Sequence, residues 1–164
     1  MTIRFGILTL SDRSSRGERA DSSGGVLADL IQTQGWSVVK QAILPDDESA
    51  IRAELTEWAD NGEVDVILTT GGTGFAPRDV TPEATRAVIQ READGLADAM
   101  RAESLKKTPH AMLSRGIAGI RAKTLIINLP GSPKGALENL QTIIPVLPHA
   151  VQLLTGDPSS ETSH

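Results

Sequence analysis

Hydrophobic residues in this chain form short runs that are separated by amphipathic segments. The run Val66-Ile67-Leu68 is continuous rather than alternating, which is typical of a strand buried on both faces of a parallel sheet. Similar runs near the N-terminus, at residues 36–44 and at residues 124–129 predict three more strands. Each of these strands is followed by a segment in which the apolar residues change to helical spacing.

The amphipathic segments predict helices. Ile51, Leu55 and Trp58 lie at positions i, i+4 and i+7 of a charged segment, which indicates a helix with one buried face. Thr81 and Pro82 predict another helix start, because threonine can cap free amides and proline suits the first turn. The same spacing predicts further helices at residues 26–31, 94–107 and 137–154.

A few segments depart from this alternation. Pro145 and Pro148 should break or kink the last helix, because proline lacks an amide donor and clashes with the preceding turn. Residues 112–121 are less periodic and predict a short extended excursion or a hairpin. The polar residues 13–25 predict a long loop, and residues 156–164 predict a disordered tail.

Strands that alternate with helices predict a single α/β domain at residues 1–155, with one doubly wound, mostly parallel sheet and helices on both faces. A length of 164 residues with 39% hydrophobic content suffices for one buried core. Ligands of such sheets bind at the carboxyl ends of the strands. We therefore expect four segments to meet at one edge: residues 11–12, 45–47, 71–79 and 128–132.

The composition argues against several classes of protein. A formal net charge of −5 and only four aromatic residues, two Phe and two Trp, do not suit a nucleic-acid binder. The absence of cysteine excludes disulfides, thiolate metal sites and a cysteine nucleophile. No stretch approaches the roughly 20 apolar residues of a membrane span, and the N-terminus predicts a strand rather than a signal peptide. We expect a cytoplasmic protein without nucleic-acid or membrane partners.

A glycine cluster, Gly71, Gly72, Thr73 and Gly74, follows the central strand. Glycine can adopt positive φ and lets a ligand approach bare amides, which suits phosphate binding, although a tight turn needed only for packing explains the cluster equally well. The cluster lacks the lysine of a Walker A loop and the spaced glycines of dinucleotide folds. A second turn favours phosphate binding. Gly131 and Ser132 precede another helix, whose N-terminal amides and dipole can bind an anion.

Two aspartates lie just after predicted strands. Asp46 and Asp79 would place carboxylates beside the proposed phosphate sites, and Mg²⁺ would explain both, because it binds one or two carboxylates together with substrate phosphates. Ordinary capping by Asp46 or Asp47, and a turn formed by Asp79 with Arg78, are the alternatives. Arg78 and Lys134 flank the two glycine turns and are further phosphate candidates.

Several motifs together resemble the MogA/MoaB family. TTGGTG with RDVTPEAT follows the central strand, NLPGSP follows the last strand, and SDR with GERADSSG follows the first. The resemblance extends in order and with similar spacing to about Leu154. The family includes the molybdopterin adenylyltransferases and the related G domains of plant and animal molybdenum-cofactor proteins.

The resemblance implies a molybdopterin-binding homotrimer. Its reaction would transfer AMP from Mg-ATP to the molybdopterin phosphate and release pyrophosphate, before a molybdenum insertase receives the product. Asp46 and Asp79 match the family's catalytic and Mg²⁺-binding positions. The positions that match the nucleotide and pterin pocket, or adjoining motif positions, are Ser11, Asp12, Gly71, Gly72, Thr73, Gly74, Ser114, Gly131 and Ser132.

The residues themselves fit in-line attack of the pterin phosphate on the α-phosphorus. Mg²⁺ and backbone amides would neutralise the developing charge, and no covalent protein nucleophile is needed. Two alternatives stay open. One is a non-catalytic scaffold of the same fold that holds molybdopterin or a nucleotide. The other is a phosphate-binding signalling domain on a flavodoxin-like sheet, which would leave the co-occurrence of the motifs unexplained.

Overall fold

A computed structural model describes residues 1–162, which contain one six-stranded sheet and its covering helices. The elements are β1 (Arg4–Leu10), α1 (Asp12–Ser15), α2 (Ser22–Thr33), β2 (Ser37–Leu44), α3 (Glu48–Asp60), β3 (Val66–Thr70), α4 (Thr81–Val88), β4 (Arg91–Glu92), α5 (Asp94–Leu105), β5 (Ala118–Arg121), β6 (Thr124–Leu129), α6 (Pro133–Ile143) and α7 (Leu147–Thr155). Short 3₁₀ helices cover Pro109–Leu113, Ile144–Val146 and Pro158–Thr162. No helix within residues 1–162 is long and apolar enough to span a membrane.

The sheet has the strand order β2-β1-β3-β6-β5-β4. The first four of these strands are parallel, β5 runs antiparallel to β6, and β4 runs antiparallel to β5. The mostly parallel α/β sheet predicted from the sequence is therefore confirmed. Because β2, β1, β3 and β6 run in one direction, the loops that follow them leave the same edge of the sheet.

Two apolar layers cover the two faces of the sheet. Successive residues of β1 point to opposite faces, so that Ile7 packs in one layer and Leu8 in the other. The Ile7 layer contains Leu27 of α2 and Leu140 of α6, whereas the Leu8 layer contains Leu55 of α3. Burial on both faces explains why the parallel strands are continuous apolar runs.

The two irregular regions behave as their sequences predict. The helical segment with two prolines divides into α6, the 3₁₀ turn Ile144–Val146 and α7, because Pro145 and Pro148 cannot continue the hydrogen bonding of a helix interior. Residues 118–121 form β5, which pairs with β6 as a hairpin. The 3₁₀ helix Pro109–Leu113 precedes it.

Two local predictions are wrong. The polar residues 13–25 are not one long loop, because Asp21 accepts a hydrogen bond from Gly24 N at 2.9 Å and thereby starts α2 at Ser22. Thr81 does not cap α4. Its hydroxyl instead donates to the Gly71 carbonyl at 2.9 Å, which ties the helix start to the glycine turn.

The described part of the C-terminal segment forms a short helical turn, and the disorder expected of residues 156–164 stays a prediction. Gly156 ends α7 with a φ of 71°, and the chain turns into the 3₁₀ helix Pro158–Thr162, where Ser160 is buried. Asp157 stabilises this turn by accepting a hydrogen bond from Ser159 N at 2.9 Å. Ser163 and His164 lie outside the described residues, and the domain boundary at residue 155 stays a prediction.

Packing between β1 and α3 generates a stability prediction. A Cβ on Gly6 would lie 2.8 Å from Trp58 Cε3, and Trp58 is only 4% exposed. Gly6→Ala should therefore lower the free energy of unfolding by about 1–3 kcal/mol, as overpacking of a core does. Gly25→Ala is the control, because this glycine is in α2 with open space around it and alanine favours helix. Urea unfolding measures both variants, and equal stabilities would contradict the prediction.

Candidate active site

The loops that follow the four parallel strands meet at one edge of the sheet, as predicted. Ser11 N donates to Leu44 O at 2.9 Å, which joins the loop after β1 to the end of β2. Gly71 N donates to Leu129 O at 3.2 Å, which joins the loop after β3 to the end of β6. The segments 11–12, 45–47, 71–79 and 128–132 thus form one continuous surface.

Asp12 and Asp46 bind each other through their backbone amides. Asp12 N donates to Asp46 Oδ2 at 3.1 Å, and Asp46 N donates to Asp12 Oδ1 at 2.9 Å. Arg78 adds two bonds to Asp12, from Nε to Oδ2 at 3.0 Å and from Nη2 to Oδ1 at 2.8 Å. The hydrogen bonds from Arg78 and from the Asp46 amide lower the pKa of Asp12 to about 2. Arg78 thus pairs with a carboxylate, and its role as a phosphate ligand stays a prediction.

Asp46 keeps one carboxylate oxygen without a protein partner. Among the residues that the structure describes, its Oδ1 is buried and receives no hydrogen bond. A Cβ on Gly72 would lie 3.2 Å from this oxygen, so the glycine leaves room in front of it. Burial raises the pKa of Asp46, and the charges of Asp12 and Asp79 act in the same direction. A bound cation would relieve both the repulsion and the unpaired acceptor.

Asp79 lies on the other side of the same glycine loop. Its Oδ2 accepts a hydrogen bond from Ala76 N at 3.0 Å, and its amide donates to Ala76 O at 2.9 Å. A Cβ on Gly74 would lie 3.0 Å from Asp79 Oδ2. The turn expected of Asp79 is therefore present, but it is formed with Ala76 and not with Arg78.

The capping alternative for Asp46 is wrong, because Asp47 caps α3 by accepting a hydrogen bond from Ser49 N at 3.2 Å.

Asp46 and Asp79 both face the glycine loop. No group of three or more metal-ligating acids or histidines occurs within residues 1–162. Two carboxylates suit Mg²⁺, which usually keeps several waters and takes substrate phosphates as its other ligands.

The glycine loop has the positive φ angles that its sequence suggests. Gly71 and Gly72 have φ values of 105° and 68°, which side chains rarely adopt. A Cβ on Gly71 would collide with Leu10 O, and a Cβ on Gly72 would collide with the Thr81 hydroxyl. Both glycines are therefore required by packing, and the same close packing brings bare backbone to the carboxylate of Asp46.

The second turn packs directly against the first. A Cβ on Gly131 would lie 3.2 Å from Gly71 Cα, so neither turn has room for a side chain at this contact. The Gly131 carbonyl accepts from the Ser23 hydroxyl at 2.6 Å, and the Pro130 carbonyl accepts from the Thr70 hydroxyl at 2.7 Å. These bonds join the two turns to α2 and β3.

The three candidate serines bind local backbone amides. Ser11 Oγ and Ser132 Oγ each accept from the amide three residues later at 3.1 Å, and thereby cap α1 and α6. Ser114 Oγ accepts from Gly116 N at 3.3 Å. All three serines also line cavities, so their hydroxyl hydrogens remain suitable donors to a ligand.

Two cavities open on either side of the paired turns. The first cavity, of about 320 Å³, lies beside α5 and α6 and is lined by Thr73, Gly74, Ser114 and Ser132 from the predicted site. The second cavity, of about 310 Å³, lies beside the start of α2 and is lined by Ser11, Gly71, Gly131 and Ser132 from the predicted site. Ser132 belongs to both linings. Asp12, Asp46, Gly72 and Asp79 line neither cavity and lie along the glycine loop.

The sequence placed Asn128 in the segment 128–132 at this edge but assigned its side chain no role; in the structure it lines the first cavity. Its Nδ2 donates to the hydroxyls of Thr69 and Thr85, both at 3.0 Å, and its Oδ1 accepts from Ile117 N at 3.1 Å. This side chain joins β6 to β3, α4 and the start of β5. A polar residue near the end of a buried apolar strand was the signal that could have identified it.

Comparison with known proteins finds one matching family, described as "Probable molybdopterin binding domain", over residues 6–149. The molybdenum cofactor synthesis protein cinnamon of Drosophila melanogaster is 50% identical over 159 residues, which are 96% of this chain and 26% of that protein. The chain thus spans about a quarter of that relative. A molybdopterin adenylyltransferase of Helicobacter pylori (strain J99) is 42% identical over 158 residues, which are 95% of this chain and 90% of that protein.

A solved structure has the same fold. The molybdopterin biosynthesis enzyme MoaB from Thermus thermophilus superposes with a TM-score of 0.90 at 52% sequence identity. The alignment covers 96% of this chain and 99% of that chain. The similarity therefore extends over the whole sheet and the loops at its carboxyl edge.

The raised pKa of Asp46 predicts a change in stability with pH. Asp46→Asn should raise the Tm at pH 7, and only modestly, because the site is partly screened by solvent. A carboxyl whose folded pKa exceeds its unfolded value near 3.9 stabilises the protein at low pH and loses that contribution as pH rises through the folded pKa. The difference in Tm between Asp46→Asn and the wild-type protein should therefore become smaller from pH 7 to pH 4.

Thermal melts over this pH range measure the effect. Asp29→Asn, at an exposed position of α2, is the control and should show no such trend. A Tm difference between Asp46→Asn and the wild type that does not change with pH would contradict the electrostatic explanation.

Proposed function

This chain belongs to the molybdopterin-binding family that it matches over residues 6–149, and we propose on that premise that it is a molybdopterin adenylyltransferase of molybdenum cofactor biosynthesis. The bacterial relative with this name is matched over 90% of its length, which supports the activity for a chain of this size. The observation that carries the proposal is the pair of aspartates facing a bare glycine turn between two cavities.

The proposed reaction joins two phosphates. An oxygen of the terminal phosphate of molybdopterin attacks the α-phosphorus of ATP, the bond from the α-phosphorus to the bridging oxygen breaks, and pyrophosphate leaves. The products are adenylylated molybdopterin and pyrophosphate. No step requires a covalent bond to the protein, so the chain contributes position and charge.

The two cavities suit two substrates. Each has a volume at the lower end of the range for small-molecule sites, and one cavity would hold the pterin and the other the nucleotide. The turns at Gly71 and Gly131 are in contact with each other, and Ser132, next to Gly131, lines both cavities. Phosphates bound from the two sides would therefore meet at the glycine loop, where Ser132 and the N-terminus of α6 can donate hydrogen bonds.

Asp46 and Asp79 would hold Mg²⁺. The buried, unpartnered Oδ1 of Asp46 and the space in front of it fit a hard cation, and the ion would supply charge neutralisation at the phosphates. Asp12 would act indirectly. Its amide donates to Asp46 Oδ2, and its own carboxylate accepts from the Asp46 amide and from Arg78, which would keep Asp46 Oδ1 facing Gly72.

The proposal includes an assembly and a place in the cell. The resemblance to the MogA/MoaB family supports a homotrimer that acts in the cytoplasm and passes its product to a molybdenum insertase. A cyclic trimer is a closed assembly, and sedimentation measurements on the purified chain would test it.

The decisive experiment measures pyrophosphate release from ATP, Mg²⁺ and freshly prepared molybdopterin. Release should require all three components and should accompany formation of adenylylated pterin. Asp46→Asn and Asp79→Asn should each reduce turnover by roughly 100-fold or more, because each removes a charge that holds the metal at the reacting phosphates.

Asp29→Asn is the control and should retain full turnover, since this side chain is exposed on α2. A protein that binds molybdopterin tightly but releases no pyrophosphate would be a scaffold, and the enzymatic proposal would be wrong. Full turnover by Asp79→Asn would remove Asp79 from the mechanism.

A further inference from the structure

Arg115 binds the glycine loop through both its backbone and its side chain. Its amide donates to Thr73 O at 2.8 Å, its Nε donates to Gly74 O at 2.8 Å, and its Nη2 donates to Asp79 O at 2.8 Å. One residue therefore holds carbonyls at both ends of the segment 73–79. Within this segment Ala76 and Asp79 bond to each other and Arg78 binds Asp12, whereas Phe75 is 69% exposed.

Glu83 of α4 orients the guanidinium. Arg115 Nη1 donates to Glu83 Oε2 at 2.7 Å and Nη2 donates to Glu83 Oε1 at 3.2 Å. This hydrogen bonding raises the pKa of Arg115 and lowers that of Glu83. The two side chains are 34% and 48% exposed, so the ion pair by itself adds little stability. Its consequence is geometric, because a planar fork can bind a carboxylate and two carbonyls simultaneously.

Arg101 of α5 binds the backbone of the two residues that flank Arg115. Its Nη1 donates to Ser114 O at 3.0 Å and to Gly116 O at 3.3 Å. Arg101, Ser114 and Gly116 all line the first cavity. The wall of that cavity is thus connected through Arg115 to the backbone of Asp79.

We propose that Arg115 is a positioning residue that fixes the Asp79 carboxylate relative to the first cavity. The expected effect of Arg115 on catalysis rests on the proposed function. Its expected effect on the order of the loop rests on the hydrogen bonds alone. Arg115 acts through Asp79, since its donors are used by Gly74 O, Asp79 O and Glu83. A shift of the metal-binding carboxylate by about 1 Å would be enough to reduce the rate by roughly 100-fold.

Arg115→Lys tests the proposal, because lysine keeps the charge but not the fork. The matched control is Arg121→Lys. Arg121 also binds one carboxylate with two bonds, to Asp60 at 3.0 Å each, and one carbonyl, Val88 O at 2.9 Å, but it lies outside both cavity linings. Arg115 makes two bonds to a carboxylate and two to carbonyls of the glycine loop, and Arg121 makes two bonds to a carboxylate and one to a carbonyl away from that loop.

In the pyrophosphate assay, Arg115→Lys should lower kcat by about 10- to 100-fold and change KM for either substrate by less than about threefold, because the chemical step depends on the position of Asp79. Arg121→Lys should leave both constants unchanged. An equal loss of kcat in the two variants, an unchanged kcat in Arg115→Lys, or a loss confined to KM would overturn the proposal.

Hydrogen exchange provides a readout without catalysis. The amides of Ala76 and Asp79 bond within the turn that Arg115 holds, so they should exchange at least about tenfold faster in Arg115→Lys and at the wild-type rate in Arg121→Lys. Unchanged exchange in Arg115→Lys would overturn the positioning role. Should the wild-type protein bind molybdopterin without turnover, the adenylyltransferase proposal would be wrong, and the exchange rates alone would decide the role of Arg115.

Discussion

The contact between Gly71 and Gly131 is the constraint on which the site depends. β3 and β6 are neighbouring parallel strands, so their following turns leave the sheet side by side. A Cβ on Gly131 would lie 3.2 Å from Gly71 Cα, and the Gly71 amide bonds to Leu129 O across the contact. Gly71 and Gly131 line the second cavity, and the next residue, Ser132, lines both, so ligands bound in the two cavities can approach each other at these turns.

The carboxylates at this edge repel one another, which destabilises the protein without a ligand and favours binding of a cation. Arg78 donates its hydrogen bonds to Asp12 and not to Asp46, which is left with a buried, unpartnered oxygen and a raised pKa. A third carboxylate, Asp79, lies close enough to raise that pKa further. Proteins tolerate such local repulsion where a bound cation or substrate later removes it. The hydrogen bonds of Asp12 hold Asp46 in place despite the repulsion.

Much of the fold could be predicted from local pattern. Buried parallel strands are continuous apolar runs, and helices show their spacing, so β1, β2, β3, β6 and α3 were predictable to within about two residues at each end. Proline chemistry predicted the break between α6 and α7. The convergence of Asp46, Asp79 and the two glycine turns also followed from sequence, because carboxyl ends of parallel strands share one edge. The roles of these residues in catalysis stay predictions.

The amino-acid sequence by itself determined the parallel sheet, the two glycine turns and the segments that meet at them, because these depend on periodicity and on the conformational range of glycine and proline. Only the tertiary structure decided which partners the polar side chains bind. Arg78 pairs with Asp12, which is 66 residues away, and Arg115 holds carbonyls of a loop 36 to 41 residues away. Contacts between distant segments also divide the predicted pocket into two cavities. Such contacts join segments distant in sequence, and no local pattern records them.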